Sequence, residues 1–450
     1  MLRGPPLASI MVLATRPPGR RWGACGTGCV RESAALYRPR HPERSAFYRL
    51  LDAHFAEFER VHEERFELED GPLRGTVTKV VASFLDCGRP ENGFARVRCP
   101  ECGGEFFVAF SCQTRNFCPS CQQKRAELLA EKLREEVLAP VAHRHAIFTV
   151  PKALRRLFLR ERRLLGILPR CAAQAITRCW RAALDRKDGV PGIVASIQTF
   201  GSQANWHPHV HALVTEGLLL PGGTAIPGPA YDETLERLLT ETFRRLVLEV
   251  LHREERISES FLESLLTWRH GGGFSVYARH LILNEEPARL GHMSRYLVRP
   301  PVAVDRVHET ADGRVLLDIP PDPRTGATAL LLDTLEWIRR ITNQIPAPRS
   351  HLVRYYGAYA NRCRARYRAE EGESVAPEDE SEVREPRQSR ASWARLLRRV
   401  FEVELTCPRC GVDLSVVSVI TEPETIDRIL AHVRDEDVDL LFDARAPPAA

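Results

Sequence analysis

The sequence predicts an α+β fold in which helices flank an antiparallel sheet. Two β-rich apolar runs, 143–150 and 192–200, enclose a basic helical stretch, and only residues 201–206 separate the second run from a third. A connection this short joins antiparallel neighbours, because parallel strands require a long crossover. Two CxxC motifs precede these strands, so we expect a zinc-ribbon-like four-cysteine domain before the sheet. A helical region and a small C-terminal module are expected after it.

Changes in composition divide the chain into six segments. Residues 1–44 are rich in Arg, Pro and Gly without periodicity and are expected to be disordered, and the acidic, Pro/Ser-rich stretch 370–390 reads as a linker. Helical periodicity starts near residue 45, recurs at 122–138, 231–266 and 329–345, and stops at prolines such as Pro140. The other four segments are a helix plus zinc-binding domain (45–138), the sheet core (140–310), a helical region rich in basic and aromatic residues (311–369) and a C-terminal module with a CxxC motif (391–450).

Composition favours an ordinary globular protein that acts inside the cell. Hydrophobic residues make up 44% of the 450 residues and charged residues 27%. No apolar run reaches the roughly 18 residues of a membrane helix, and the N-terminus lacks a convincing signal peptide, so we expect a cytoplasmic protein without a membrane partner. The odd count of 13 cysteines, with closely spaced pairs, favours metal thiolates over disulfides.

The CxxC pairs Cys99/Cys102 and Cys118/Cys121 predict a structural Zn2+ site. Two such knuckles brought together by a hairpin offer four thiolates in a tetrahedron, with no position left open for chemistry. The expected role is therefore folding and the presentation of a surface to DNA. Four of the other nine cysteines have a less clear role. Cys87 and Cys112 fit small buried side chains or a partial second site, whereas Cys407 and Cys410 form a half-site that is degenerate or completed by a distant ligand.

Three histidines alternate in the third β-rich run, at His207, His209 and His211. Residues two apart on a strand face the same way, so these imidazoles share one face and two of them can hold a divalent ion. The alternative is a set of structural histidines. Two or three neutral nitrogens leave open positions on the ion, which can take substrate oxygens.

Basic residues are concentrated in two stretches. Residues 115–187 hold 17 Lys and Arg against 6 Asp and Glu, which is typical of a protein that binds a polyanion, although solvated helix faces give the same count. The stretch 349–366 interleaves tyrosines with arginines, as in proteins that stack unpaired bases, or as in an amphipathic surface helix. The DNA-binding candidates are Arg115, Lys124, Arg125, Arg354, Tyr355, Tyr356 and Arg362.

Tyr296 is the nucleophile candidate. It lies near the end of a short helix that stops before Pro300, and tyrosine is one of the side chains that forms covalent intermediates in transfer reactions. The residue types alone favour a packed amphipathic tyrosine.

Six motifs in order, spread over about residues 45–435, resemble the IS91 family of rolling-circle insertion-sequence transposases. This family belongs to the HUH superfamily of nucleases, named after a His, hydrophobic, His motif. The motifs are "RCPECG" with "SCQTRNFCPSC", "HAIFTVPKALR", "QTFGSQANWHPHVHALVTEG", "RYLVRPPVAVDRV", "HLVRYYGAYANRCR" and "CPRCG".

The resemblance implies a site and a reaction. His209 and His211, around Val210, would be ligands of Mg2+ or Mn2+, with His207 as a third ligand or a hydrogen-bonding neighbour and Gln198 as another polar candidate. Tyr296 would attack one strand at the single-stranded end of a mobile element, leaving a 5'-phosphotyrosyl link and a free 3'-OH. The segment 140–310 would then be the catalytic core.

The sequence departs from family members that carry two tyrosines four residues apart, because His292 stands four residues before Tyr296. It therefore resembles a single-tyrosine branch, in which the second strand transfer is left to the same tyrosine, to a second copy of the chain or to water.

Two other functions fit the sequence. One is a replication initiator or relaxase of the same superfamily, and the other is a non-catalytic, zinc-dependent DNA-binding protein.

Overall fold

The computed structural model describes residues 42–268, 273–367, 407, 412 and 415–435. Nearly all of the predicted N-terminal extension and the whole predicted linker lie outside these residues. No helix in the described ranges is both long and apolar enough to cross a membrane.

Three N-terminal helices open the fold: α1 (Ala46–Arg65), α2 (Glu67–Asp70) and α3 (Gly75–Leu85). Helix α1 begins where the Ser45 hydroxyl accepts a hydrogen bond from the Tyr48 amide at 3.1 Å. Its apolar face is buried, and the Phe47 ring meets the Trp337 ring edge-on with centroids 5.2 Å apart. Aromatic packing thus joins helix α1 to the helix that contains Trp337, almost 300 residues later in the chain.

A hairpin and a helix make up the cysteine-rich part. Strands β1 (Phe94–Arg98) and β2 (Glu105–Ala109) pair antiparallel, and helix α4 (Pro119–Lys132) follows. From the other end of the chain, β13 (Ser415–Ile420) pairs with β1, giving a three-stranded sheet in the order β13-β1-β2. Helix α11 (Pro423–Asp435) comes after β13.

The core is a five-stranded sheet in the order β12-β4-β5-β3-β8, in which every neighbouring pair is antiparallel. The predicted α+β class with an antiparallel sheet is therefore confirmed. The strands are β3 (His143–Thr149), β4 (Gly192–Phe200), β5 (Trp206–Thr215), β8 (Ser275–Ile282) and β12 (Val353–Gly357), and a small hairpin, β6 (Gly217–Leu219) with β7 (Ala225–Pro227), follows β5.

The two faces of this sheet have different neighbours. Val210, Ala212 and Val214 of β5 lie in the largest apolar cluster, where the helices α5 to α8 cover the sheet. Leu213 faces the opposite side, toward Leu297 after helix α9. The covering helices are α5 (Lys152–Arg160), α6 (Ile167–Ala183), α7 (Glu233–Arg253) and α8 (Glu259–Thr267), and α9 spans Pro287–Tyr296. Alternation along β5 thus separates an apolar face from the face that carries the histidines.

The region predicted to be helical, 311–369, contains strands as well. It holds β10 (Val315–Asp318), β11 (Ala329–Leu332), the edge strand β12 and helix α10 (Thr334–Thr342); β9 (Val307–Glu309) completes a three-stranded sheet in the order β11-β10-β9. Strand β12 pairs with β4, and its side chains alternate: Val353 and Tyr355 pack on one side of the core sheet and Tyr356 on the other. The core sheet therefore takes its fifth strand from beyond residue 310.

Candidate active site and metal centres

The alternating histidines lie on β5, the central strand of the core sheet. The Nδ1 atom of His209 is 2.7 Å from the carbonyl oxygen of His207. A carbonyl oxygen only accepts, so Nδ1 carries the proton and Nε2 keeps its lone pair. In His211, Nδ1 lies 2.9 Å from Nε2 of His145, and the two Nε2 atoms of His209 and His211 are 2.9 Å apart.

This pair of imidazoles fits a divalent cation. Two nitrogens that bind one ion at about 2.1 Å and at right angles lie about 3 Å from each other. Burial lowers the pKa of His209 to about 4 and the pKa of His211 well below its ordinary value, so both rings are neutral near pH 7. Neutral nitrogen lone pairs that face each other in a buried site are stabilised by a shared cation.

His145, on β3, completes the histidine cluster and was not singled out from the sequence. Its ring stacks on that of His211, with centroids 5.1 Å apart and an interplanar angle of 5°. With a cation on Nε2 of His211, the proton of that ring would lie on Nδ1 and His145 would accept it, which would fix the tautomer and ring orientation of His211. The available signal was the alternation in "HRHAIFTV", which places His145 and Ile147 on one face of the strand.

The two tentative ligands have different surroundings. The carbonyl of His207 accepts the hydrogen bond from His209. Among the described residues, no His, Cys or carboxylate atom forms a group with the His209 and His211 nitrogens in which all atoms lie within 4.8 Å of one another. Gln198 lies directly opposite His209 in the β4–β5 pairing. Its Oε1 atom is buried and accepts no hydrogen bond from the described part of the chain. An amide oxygen suits Mg2+ and Mn2+, so Gln198 fits the metal site better than His207 does.

Tyr296 is the last residue of α9 and lies over the histidine face of the sheet. Its ring meets His211 edge-on with centroids 5.2 Å apart, and His145 at 6.0 Å. The Gln198 amide donates hydrogen bonds to the carbonyls of Tyr296 (2.9 Å) and Leu297 (3.2 Å). The next carbonyl, of Val298, accepts from Nε2 of Gln122 at 2.7 Å. The core sheet and helix α4 therefore both hold the backbone that carries the tyrosine.

Arg299 adds a positive charge to this site. Its guanidinium carbon lies 4.7 Å from the centroid of the Tyr296 ring and 5.2 Å from that of Phe200. Its Nε atom is buried and donates to no described residue. The charge also contributes to the lowered pKa of His209 and His211, after burial. A cation with an unused donor beside the tyrosine suits a phosphate group.

The cysteines form two separate clusters, and the predicted grouping of Cys99 and Cys102 with Cys118 and Cys121 is corrected. Sγ atoms within 4.8 Å of one another belong to Cys87, Cys112, Cys118 and Cys121 in one cluster and to Cys99, Cys102 and Cys407 in the other. The reason is the β1–β2 hairpin. Cys99 and Cys102 lie at its tip, Cys87 and Cys112 at its open end, and five residues of strand span about 17 Å.

The four-cysteine cluster offers a complete tetrahedral ligand set for zinc. The Sγ atoms of Cys112 and Cys121 are 3.6 Å apart, and three of the four residues are buried. The pKa of the Cys118 thiol is raised well above its ordinary value. The largest cause is the hydrogen bond with Cys112, followed by those with Cys121 and Cys87 and by burial. A cation shared by the four sulfur atoms would favour their thiolate forms. Cys410 lies outside the described residues.

The predicted DNA-binding residues are only partly brought together. Arg115 donates to the carbonyl of Ser350 at 2.5 Å, and Arg354 donates to that of His351 at 3.3 Å, so both contact the same loop. Beside this loop lies a pocket of about 280 Å³, and its lining includes four arginines among apolar and neutral residues: Arg162, Arg163, Arg349 and Arg354.

The other candidates lie elsewhere. Arg125 donates to the carbonyl of Gln113, Lys124 is half-buried on α4, and Arg362 is exposed. Tyr355 and Tyr356 are half-buried and pack into opposite faces of the core sheet, so the fold already uses part of each ring.

Two family models and two relatives match this chain. Residues 192–366 match the family model described as "Putative transposase", and residues 57–150 match "Transposase zinc-binding domain". The chain is 28% identical over 312 residues to the transposase for insertion sequence element IS801 of Pseudomonas savastanoi pv. phaseolicola, covering 67% of this chain and 74% of the relative. It is also 28% identical over 379 residues to a protein named "Putative transposase y4qJ" of Sinorhizobium fredii, covering 79% of this chain and 92% of the relative.

No solved structure matches the chain. The two domain models together span more than half of its length, and one of them is the zinc-binding domain of the IS91 transposases. The chain belongs to the IS91 family of insertion-sequence transposases.

Proposed function

We propose that this transposase cuts and rejoins one strand of DNA, with Tyr296 as the nucleophile and a Mg2+ or Mn2+ ion held by His209 and His211, during rolling-circle transposition. One observation carries the proposal. The ring of Tyr296 contacts His211 on the sheet face where the two Nε2 atoms lie 2.9 Å apart. The proposed nucleophile and the proposed cation ligands thus lie beside Arg299, whose buried Nε has no hydrogen-bond partner among the described residues.

The chemistry is divided among these groups. A divalent ion bound by the histidine pair would polarise the scissile phosphate. His145 keeps the His211 ring in position, and Gln198 holds the backbone of Tyr296 while its Oε1 remains available as a third ligand. Arg299 offers charge to the phosphate oxygens as negative charge accumulates on them.

The covalent step balances without an external energy source. The Tyr296 hydroxyl oxygen forms a bond to phosphorus, and the bond from phosphorus to the 3'-oxygen of the preceding nucleotide breaks. The phenolic proton is lost, the leaving 3'-oxygen gains one, and the products are a 5'-phosphotyrosine and a free 3'-OH. Because one phosphodiester replaces another, a 3'-OH can later reverse the step and rejoin the strand.

The partner in this proposal is DNA, as a single-stranded element end and a target strand, which places the working protein in the bacterial cytoplasm. Arg115, Arg354 and the arginine-lined pocket beside them support a polyanion partner. Helix α9 offers one tyrosine only, since the residue one turn before Tyr296 is the exposed His292. A second transfer then needs a released Tyr296, a second copy of the chain or water.

The test is adduct formation on labelled single-stranded oligonucleotides from the ends of the encoding element, resolved on a denaturing gel. We expect a labelled protein band that requires Mn2+ or Mg2+, disappears with EDTA and is absent from Tyr296→Phe. Tyr277→Phe is the matched control, because Tyr277 is an exposed tyrosine on β8 of the same sheet. An adduct that persists in Tyr296→Phe would refute the assigned nucleophile. Binding without any adduct in the wild type would favour a non-catalytic DNA-binding protein.

A further inference from the structure

We propose that Cys99, Cys102 and Cys407 hold a second zinc ion, which fastens the C-terminal module to the N-terminal zinc domain. Their Sγ atoms all lie within 4.8 Å of one another, and those of Cys102 and Cys407 are 3.5 Å apart. Cys99 and Cys102 form one CxxC pair, whereas Cys407 comes from 305 positions beyond Cys102, and thiolates are the ligands that zinc prefers in structural sites.

The N-terminal part of the cluster has the backbone of a zinc knuckle. The Cys99 amide donates to the carbonyl of Gly104 at 2.8 Å, and the Gly103 amide donates back to the carbonyl of Cys99 at 3.1 Å. Gly103 has φ +72°, a conformation that a residue with a Cβ atom adopts at a cost. This tight turn at the tip of the β1–β2 hairpin directs Cys99 and Cys102 to one point.

The C-terminal part also contacts the same hairpin through a backbone strand pairing. Strand β13 pairs with β1, with Ser415 opposite Arg98, and the Ser415 hydroxyl donates to the carbonyl of Arg98 at 3.1 Å. Cys407 is buried with Val97 and Val108 in one small apolar cluster. The strand pairing therefore brings Cys407 to the hairpin tip, where the thiols of Cys99 and Cys102 already lie.

This site differs from the four-cysteine cluster in what it connects. The four cysteines at the open end of the hairpin lie within 35 residues of sequence, inside the matched zinc-binding domain. Cys102 and Cys407 are 305 positions apart, so an ion between them closes a loop that contains the whole core sheet. Closing a long loop removes more conformational entropy from the unfolded chain than closing a short one. The second ion would make the N-terminal zinc domain and the C-terminal module one structural unit.

The first test is the zinc content of the purified full-length protein, measured by plasma mass spectrometry after gel filtration without chelator. We expect two zinc ions per chain in the wild type and one in Cys102→Ser. Cys102 is the exposed member of the cluster, so this variant disturbs packing least. Cys363→Ser is the control, since Cys363 lies outside both clusters, and it should retain two ions. One ion in the wild type, or two in a folded Cys102→Ser, would overturn the proposal.

The second test asks whether the ion fastens the two ends. A protease site is inserted between residues 370 and 390 of the full chain, the protein is cut, and the fragments are separated by gel filtration. We expect the cut wild type and the cut Cys363→Ser to elute as one complex, and the cut Cys102→Ser to release its C-terminal fragment. Fragments that separate in the wild type, or that stay together equally well in Cys102→Ser, would contradict the fastening role.

Discussion

Gln122 connects the zinc-binding domain to the nucleophile, and its replacement by methionine tests that connection. It is buried on α4, one residue after Cys121. Its Oε1 atom accepts from the Asn116 amide at 2.9 Å, and its Nε2 atom donates to the carbonyl of Val298 at 2.7 Å. Methionine preserves the length of the side chain but makes neither hydrogen bond. The substitution therefore removes the hydrogen bond to the Val298 carbonyl, two residues after Tyr296, and still fills the space of the Gln122 side chain.

The size of the effect follows from the two groups left without partners. The Asn116 amide is buried and would cost about 1–3 kcal/mol when left unsatisfied, and the partly buried Val298 carbonyl would cost less, so Gln122→Met should lower the free energy of unfolding by about 1–4 kcal/mol. The rate of adduct formation should fall as well, because a displacement of about 1 Å in a reacting group can cost on the order of 100-fold. We expect this loss of rate in protein that remains folded and retains its zinc.

The assay is the time course of covalent adduct formation on single-stranded DNA, beside urea unfolding and zinc content. Gln123→Met is the matched control, because the neighbouring Gln123 is exposed and, among the described residues, its amide donates to Glu127 alone, at 3.2 Å. The control should unfold and react like the wild type. A folded Gln122→Met protein that forms the adduct at the wild-type rate would refute the view that α4 positions Tyr296.

Three further changes have defined outcomes. His145→Phe removes the acceptor for His211 and should raise the Mn2+ concentration for half-maximal adduct formation by about 10–100-fold; an unchanged Mn2+ dependence would contradict its orienting role. Arg354→Gln should weaken single-strand binding and reduce the salt slope by about 0.7, measured by fluorescence anisotropy, whereas Arg178→Gln, an exposed change of the same charge on α6, should do neither. Burial lowers the pKa of His143 to about 4. Between pH 6.5 and 4 this histidine is therefore protonated in the unfolded chain and neutral in the folded chain, so the free energy of unfolding falls as pH falls. His143→Gln should therefore lose about 2 kcal/mol less than the wild type between pH 7 and 5, and equal losses in urea unfolding would refute that assignment.

Much of the fold was predictable from local patterns. The alternation in "HPHVHALV" predicts a strand with histidines on one face, because the period of a strand is two, and β5 has that arrangement. The short connection before it predicts the antiparallel pairing of β4 and β5. The sequence predicts a helical region where β12 lies, because the five residues of this strand, with Arg354 and two tyrosines, show little alternation of apolar and polar side chains. Its pairing with β4 decides its structure, and a single sequence does not show that pairing.

The candidate site was predicted in part, and its missing members depend on contacts distant in sequence. His209, His211 and Tyr296 were identified by motif, whereas His145 becomes relevant only when β3 pairs with β5. The cysteine spacing suggested one zinc site because CxxC pairs are usually read together. The length of the β1–β2 hairpin separates them, and Cys407 reaches its partners through the pairing of β13.

The most direct test of the central proposal is to locate the covalent bond by mass spectrometry. Wild-type protein is allowed to react with a single-stranded oligonucleotide from the element end in Mn2+, then digested with nuclease and trypsin. We predict that the mass of a 5'-nucleotide is found on the peptide that contains Tyr296 and on no other tyrosine peptide. A nucleotide on another residue, or strand cleavage without any modified peptide, would contradict the assignment of Tyr296 as the nucleophile.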